Sequence, residues 1–160
     1  EETAMIDLYT VSQRLKLHEG LRLQPYRCTK GKLTIGVGRN LDDNPLTPEE
    51  EKIVGDWRHG ITKEAAIYLL RNDIKSVYRN LKKYLPFFKE LDEERQYALI
   101  DMAFNLGIVG LLKFQKMLAA IACGNYEQAA DECLNSRYAK ITGRRAERIA
   151  EVIRHGVFKL

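Results

Sequence analysis

The chain has 160 residues, of which 45% are hydrophobic and 30% are charged, and its formal net charge is +4 at pH 7. These values are typical of one folded domain with a hydrophobic core, and they argue against a disordered chain. No apolar run approaches the length of a membrane span. The N-terminus lacks a basic region followed by an apolar stretch, so we expect no signal peptide.

The first third of the chain is predicted to form a helix and a small sheet. Apolar residues at helical spacing indicate a helix over about 6–18 that ends at Gly20. Residues 24–38 indicate strands that meet at a turn over residues 29–31. The alternation in the second strand places its apolar side chains toward a small core and Thr34 toward a cleft. Those apolar residues are Leu33, Ile35 and Val37.

Helix signals dominate the rest of the chain. Thr47, Pro48 and Glu50 are typical of a helix start with a capping box. Thr62 is predicted to cap a long helix that ends at Pro86. Further helices are predicted from Asp92 to Gly107, around Met117–Ile121 with an end at Gly124, over Tyr126–Leu134, and from a Thr142 cap to Gly156.

This order of elements predicts an α+β fold that is mostly helical. We expect a small antiparallel β-sheet lobe and a larger helical lobe, joined by the long helix. The whole chain, residues 1–160, is predicted to be a single domain. Its lobes lie at roughly 15–62 and 82–160, with the N-terminal helix in addition.

Three side chains near the predicted sheet suggest hydrolytic chemistry. Glu19 lies where a helix ends, and a thiol, Cys28, and a hydroxyl, Thr34, follow on the strands, so an acid, an ionisable partner and a hydroxyl come together. An ordinary thiol has a pKa of about 8.5, and the nearby charges of Arg27, Lys30 and Lys32 would favour its thiolate. The alternatives are a helix-terminal Glu, a buried structural thiol and a strand residue chosen for β propensity.

The same segment resembles the active-site segment of phage-type lysozymes. The resemblance rests on Glu19-Gly20-Leu21-Arg22-Leu23, on Tyr26 and on Thr34-Ile35-Gly36-Val37-Gly38. The family pattern is Glu, eight residues, Asp or Cys, five residues, Thr, and Glu19, Cys28 and Thr34 keep this spacing. The glycines of Gly36-Val37-Gly38 are interpreted as positions where a sugar approaches the backbone. Weaker similarity extends over nearly the whole chain.

The resemblance implies roles for further residues. Phe104, Asn40, Met117 and Glu132 stand at the family's substrate-binding positions, and Arg145 matches an arginine that pairs with the catalytic acid. Relatives carry a His–Asp pair where this chain has Arg39 and Asp73. We therefore expect an Arg39–Asp73 ion pair that does not weaken between pH 6 and 8, because Arg stays charged.

The implied activity is that of a lysozyme-like muramidase. It would hydrolyse the bond between N-acetylmuramic acid and N-acetylglucosamine in bacterial peptidoglycan, with Glu19 as general acid, Cys28 as base or water-activating group and Thr34 orienting the water. A lytic transglycosylase and a non-catalytic peptidoglycan-binding protein with the same fold are the alternatives. No cofactor and no metal are expected.

The expected partner is peptidoglycan, without nucleic acid, for a protein that is a monomer. The basic residues near the C-terminus fit either a weak contact with anionic membrane or wall polymer or a solvated helix face, and we favour the second. The enzyme is expected to be made in the host cytoplasm and to reach the wall through a membrane pore. Cys123 and Cys133 are interpreted as core thiols.

Overall fold

The computed structural model describes residues 7–159 and contains eight α-helices and one three-stranded antiparallel sheet in that range. The sheet has the order β1-β2-β3, so the predicted mostly helical α+β fold is confirmed. The elements in chain order are α1 (Leu8–Glu19), β1 (Arg22–Arg27), β2 (Leu33–Gly36), β3 (Arg39–Asn40), α2 (Pro48–Val54), α3 (Lys63–Tyr84), α4 (Glu93–Leu112), α5 (Gln115–Ala122), α6 (Tyr126–Leu134), α7 (Arg137–Thr142) and α8 (Arg144–His155).

The chain divides into two compact units, one ending at Ser76 and one beginning at Val77. The division falls inside α3, the helix predicted to join two lobes. The assignment of both units to a single domain stays a prediction. Between residues 7 and 159, no single helix is long and apolar enough to span a membrane. The pair α4 and α5 passes such a test by length and composition alone, and the two helices are bent by 102°.

In the first unit, local signals place α1 and the sheet. Asp7 caps α1 by accepting hydrogen bonds from the amides of Tyr9 and Thr10, and Gly20, with φ 78°, ends the helix. The predicted start of this helix at residue 6 lies outside the described residues. The strands β1 and β2 pair on either side of the predicted tight turn, in which Gly31 adopts φ 77°.

The core of the first unit forms between β2 and the start of α3. Its buried members are Ile35, Leu41, Ile61, Ala65, Ala66 and Leu69. Val37 is also buried and Leu33 is half-buried, as the alternation predicts. Thr34 is only 4% exposed, although we expected it to face an open cleft. Both faces of β2 are therefore covered, which alternation within one strand does not reveal.

The predicted starts of α2 and α3 are confirmed. The Thr47 hydroxyl accepts a hydrogen bond from the Glu50 amide, and the Glu50 carboxylate accepts one from the Thr47 amide. The Thr62 hydroxyl accepts from the Ala65 amide at the start of α3. Each cap satisfies backbone donors that a helix start leaves unpaired.

Arg39 lies at the centre of a buried charge cluster in the first unit. Its Nη1 donates to Asp73 Oδ1 at 3.1 Å, which confirms the predicted ion pair. The guanidinium also makes a bidentate contact with Glu50, with Nη2 to Oε1 at 2.7 Å and Nη1 to Oε2 at 3.2 Å. The carbonyls of Asn44 and Pro45 accept the remaining donors. All five guanidinium donors are thereby satisfied.

The Arg39 cluster holds two carboxylates against one guanidinium. Burial raises the pKa of Asp73 to about 7, and the charge of Arg39 only partly opposes this. Burial also acts on Glu50, but hydrogen bonds from Arg39, the Thr47 amide and Asn72 lower the pKa of Glu50 to about 2. The expectation that the Arg39–Asp73 pair does not weaken as pH rises from 6 to 8 stays a prediction, because Asp73 titrates in this range and rising pH gives it the negative charge that pairs with Arg39.

In the second unit, most predicted helices are confirmed. Asp92 caps α4 by accepting from the Arg95 amide, and α5 and α6 lie where the apolar spacing placed them. Gly107, with φ 78° and ψ 161°, interrupts α4 rather than ending it, and the helix resumes to Leu112. The helix pairs that pack together include α5 with α6 and both α4 and α6 with α8.

The predicted cap of the last helix was wrong. Thr142 is the last residue of α7, and its hydroxyl donates to the Tyr138 carbonyl at 2.9 Å instead of capping α8. Ser136 caps α7, and Gly143, with φ 56°, separates α7 from α8. A Thr can bond back to a carbonyl one turn earlier, so its presence alone does not define a helix start.

Candidate active site

Glu19 is the last residue of α1, and its half-buried carboxyl group lies against the backbone of Gly38. A Cβ at position 38 would come within 2.8 Å of Glu19 Oε1, and Gly38 has φ 68°. The glycine therefore makes room for the carboxyl group of Glu19. We had interpreted the Gly36-Val37-Gly38 segment as space for a sugar; at Gly38 the structure provides this different reason.

Cys28 opens the tight turn between β1 and β2. Its amide donates to the Lys32 carbonyl at 2.9 Å, and its carbonyl accepts from the Gly31 amide at 2.8 Å. Burial raises the pKa of the thiol, but hydrogen bonds from the amides of Lys30 and Lys32 and from the Thr34 hydroxyl outweigh it, so the pKa is lowered. The turn thus forms a nest of N–H groups that stabilises an anion at the sulfur.

The charged side chains near Cys28, which were expected to stabilise its thiolate, form ion pairs with carboxylates. Arg27 donates to the Gly31 carbonyl and pairs with Asp42 at 3.4 Å. Lys32 pairs with Asp43 at 3.2 Å. Among the causes that lower the thiol pKa, the backbone amides of Lys30 and Lys32 come first, which sequence inspection of charged side chains does not reveal.

The Thr34 hydroxyl bridges the turn and the sulfur. Its Oγ1 donates to the Lys32 carbonyl at 2.9 Å, and the same hydroxyl is a hydrogen-bond partner of Cys28. A hydroxyl has one hydrogen, so it can donate to the carbonyl while Cys28 is a thiol and turn to the sulfur once Cys28 ionises. Cys28 and Thr34 therefore act as one unit, as their spacing in the sequence suggested.

Tyr26 is a further site residue, which belongs to the sequence motif but has no role that the sequence alone indicates. It pairs with Thr34 across β1 and β2 and precedes Cys28 by two residues, so it shares their face of the sheet. Burial and the negative charge of Glu19 raise the pKa of Tyr26, Arg22 opposes this, and Cys28 adds to it. The Tyr26 ring thus lies within electrostatic reach of both Glu19 and Cys28. Only the strand register could have revealed this.

In the second unit, Arg145 is buried and pairs with Asp101. Its Nε donates to Asp101 Oδ1 at 2.7 Å, and its Nη2 donates to the Asp101 carbonyl at 3.3 Å. This pair places Arg145 at the start of α8 beside α4. The pairing of Arg145 with Glu19 that the family resemblance implies stays a prediction.

The four expected substrate-binding residues have different environments. Phe104 and Glu132 are half-buried on α4 and α6, and their roles stay predictions. Asn40 exchanges hydrogen bonds with Asp43, with its Nδ2 donating at 3.0 Å and its Oδ1 accepting at 3.0 Å. Met117 is 1% exposed on α5. A side chain with no accessible surface cannot contact a saccharide, so the substrate-binding role of Met117 is corrected to core packing.

The C-terminal basic segment, the other two cysteines and the possibility of a metal site remain to be described. Arg154 of the C-terminal basic segment pairs with Glu127 and Asp131. Cys133 is buried, as predicted, but Cys123 is exposed, so its interpretation as a core thiol was wrong. In the part of the chain that the structure describes, no group of three or more His, Cys, Asp or Glu side chains could hold a metal ion.

Comparisons with known proteins show which sequences this chain is similar to. The Phage lysozyme family model matches residues 16–152. The chain is 32% identical to the pre-baseplate central spike protein Gp5 of Enterobacteria phage T4, over 92% of this chain but only 28% of that protein. It is 31% identical to Probable T4-type lysozyme 2 of Dictyostelium discoideum, over 94% of this chain and 96% of that protein. An endolysin of Acyrthosiphon pisum secondary endosymbiont phage 1 is 30% identical over 82% of this chain and 80% of its own length.

Proposed function

Because the chain belongs to the phage lysozyme family and is a glycoside hydrolase, we propose that it is a muramidase acting on bacterial peptidoglycan. The bond cleaved is the one between N-acetylmuramic acid and N-acetylglucosamine. The relatives named lysozyme and endolysin support peptidoglycan as the substrate.

The observation that carries this proposal is the presence of two ionisable groups, Glu19 and Cys28, that both act on Tyr26 in the first unit. Glu19 is half-buried against Gly38, and the Cys28 sulfur lies in a nest of amides beside Thr34. Glycoside hydrolysis uses one carboxylic acid to protonate the leaving oxygen and a second group to activate water. Glu19 is suited to the first role and Cys28, with its lowered pKa, to the second.

Thr34 supports the second role through its own hydrogen bond. Once Cys28 is ionised, the Oγ1 hydrogen turns from the Lys32 carbonyl to the sulfur, and the lone pairs of Oγ1 accept a hydrogen from a water molecule. The Cys28 thiolate accepts the other hydrogen of that water. The oxygen lone pair is then left for the anomeric carbon, and the thiolate takes up the proton as the carbon–oxygen bond forms.

Analysis of the products by mass spectrometry tests the proposal. A muramidase leaves reducing N-acetylmuramic acid ends on digested peptidoglycan, whereas a lytic transglycosylase leaves anhydro ends. Direct attack by water inverts the anomeric configuration, and attack by the Cys28 sulfur followed by water retains it, so NMR of the fresh product distinguishes base from nucleophile.

The matched variant for this test is Glu19→Gln, which keeps the shape but cannot donate an acidic proton. We expect it to abolish hydrolysis while circular dichroism shows an intact fold. Near-normal lysis by this variant would contradict the mechanism. The expected monomeric state and release from the host cytoplasm through a membrane pore stay predictions.

A further inference from the structure

Arg22 is an exposed arginine whose guanidinium lies over an aromatic ring. Its Cζ lies 4.1 Å from the centroid of the Tyr26 ring. No carboxylate within residues 7–159 pairs with it, whereas the exposed Arg27 pairs with Asp42 and Arg58 pairs with Asp56. Arg22 therefore has a fixed position and a charge that is not neutralised by a described partner.

Stacking leaves the part of a guanidinium that recognises anions available. A ring that lies against one face of a guanidinium leaves the N–H donors at the edge of the group available. These donors match the two oxygens of a carboxylate in one plane. Because the stacking contact already restricts the side chain, less conformational entropy is lost when an anion binds.

The position of Tyr26 connects Arg22 to the reacting groups. Tyr26 pairs with Thr34, precedes Cys28 by two residues and feels the charge of Glu19. Arg22 is thus linked to these groups through the Tyr26 ring, which its guanidinium contacts. A substrate group that binds Arg22 lies close to the bond being cleaved.

We propose that Arg22, held on the Tyr26 ring, is a specificity-determining residue that binds a carboxylate of the peptide carried by the muramoyl sugar. This inference rests on the proposed function, because it assumes a peptidoglycan strand in the site. The two alternating sugars differ in this respect: only the muramoyl sugar bears the acidic peptide. An arginine held on the Tyr26 ring can therefore set which of the two glycosidic bonds is cleaved.

The test compares two soluble glycan substrates that differ only in charge. One has intact peptide carboxylates, and the other has them converted to methyl amides. Wild-type kcat/KM should be about fivefold higher on the intact substrate, which is the size expected of one exposed charge-assisted contact. Arg22→Gln should lose this advantage, mainly through KM, and should match wild type on the amidated substrate. Added salt should reduce the wild-type preference and leave the variant unchanged.

The matched control is Arg58→Gln, since Arg58 also stacks on a ring, with Cζ 4.8 Å from the Trp57 centroid, but is paired with Asp56. We expect this variant to keep the wild-type preference. Arg22→Lys keeps the positive charge but lacks the planar guanidinium, and it should retain part of the preference for the intact substrate. An Arg22→Gln variant that equals wild type on both substrates, or loses activity equally on both, overturns the proposal.

A binding measurement separates failure of this inference from failure of the proposed function. In a Glu19→Gln background, calorimetry measures the affinity for intact and amidated fragments, with and without Arg22→Gln. If wild type hydrolyses neither substrate, the muramidase proposal fails. The Arg22 inference is then judged by binding alone. Equal affinity for both fragments with Arg22 present overturns it.

Discussion

Replacing Asp73 with Asn should flatten the pH dependence of stability near neutral pH. Asp73 is the second carboxylate in a buried cluster whose Arg39 guanidinium, 3% exposed, is already bound in a bidentate manner by Glu50. A second buried negative charge is only partly compensated, so burial raises the pKa of Asp73 to about 7. Asn resembles the protonated acid in shape and stays neutral at every pH.

Proton linkage determines whether the free energy of unfolding rises or falls with pH. The folded protein keeps a proton on Asp73 up to about pH 7, while the unfolded chain releases it near the ordinary value of 3.8. The folded state therefore binds more protons between these values, and the free energy of unfolding falls as pH rises through them. From about pH 5 to about pH 8, this loss amounts to roughly 2–3 kcal/mol for wild type, or about 5–10 °C in Tm.

Glu50 does not obscure this effect. Its pKa is lowered to about 2, so its contribution to stability is complete above its ordinary value of 4.5 and is lost only as pH falls toward 2. Across the neutral range Glu50 stays ionised and its contribution stays constant. All other ionisable groups are present equally in wild type and in Asp73→Asn, so their contributions cancel in the difference.

Urea unfolding of wild type and Asp73→Asn at several values between about pH 5 and about pH 8 measures this difference. From about pH 5 to about pH 8, the free energy of unfolding of the variant should rise by roughly 2–3 kcal/mol relative to that of wild type. Asp43→Asn, at an exposed position, is the control and should show no such trend. A difference between wild type and Asp73→Asn that stays constant with pH would refute the reasoning.

Two further predictions concern the active site. In a background without the exposed Cys123, Cys28→Asp should keep activity and extend it to lower pH, whereas Cys28→Ser should lose much of the activity. Alkylation should inactivate only enzymes that contain Cys28. Full activity in Cys28→Ala would show that the thiol only packs. The rising limb of the wild-type pH profile should lie below the ordinary thiol pKa, because amide hydrogen bonds lower that of Cys28. Gly38→Ala should lower lysis at least about tenfold, because its Cβ would displace the Glu19 carboxyl group. Gly55→Ala, with φ 81° and open space, has similar backbone strain of about 1–2 kcal/mol and should keep activity.

Much of the secondary structure could be predicted from the sequence because its signals are local. Thr47 with Glu50, Thr62 and Asp92 start helices through hydrogen bonds with amides three residues away. The spacing of Glu19, Cys28 and Thr34 identified the catalytic candidates, and the structure brings Cys28 and Thr34 together across one turn. The Arg39–Asp73 pair was also predictable, although only from the family resemblance and not from periodicity.

The tertiary structure decided how these residues are surrounded. Burial and distant partners arise when segments far apart in sequence pack together, and no local pattern specifies them. Glu50 therefore joins Arg39 as well as capping α2, and Asp73 acquires a raised pKa in place of a constant charge. For the same reason Met117, which was expected in the substrate groove, lies in the core. Position 38 is a glycine because it makes room for the carboxyl group of Glu19, which lies nineteen positions earlier in the sequence.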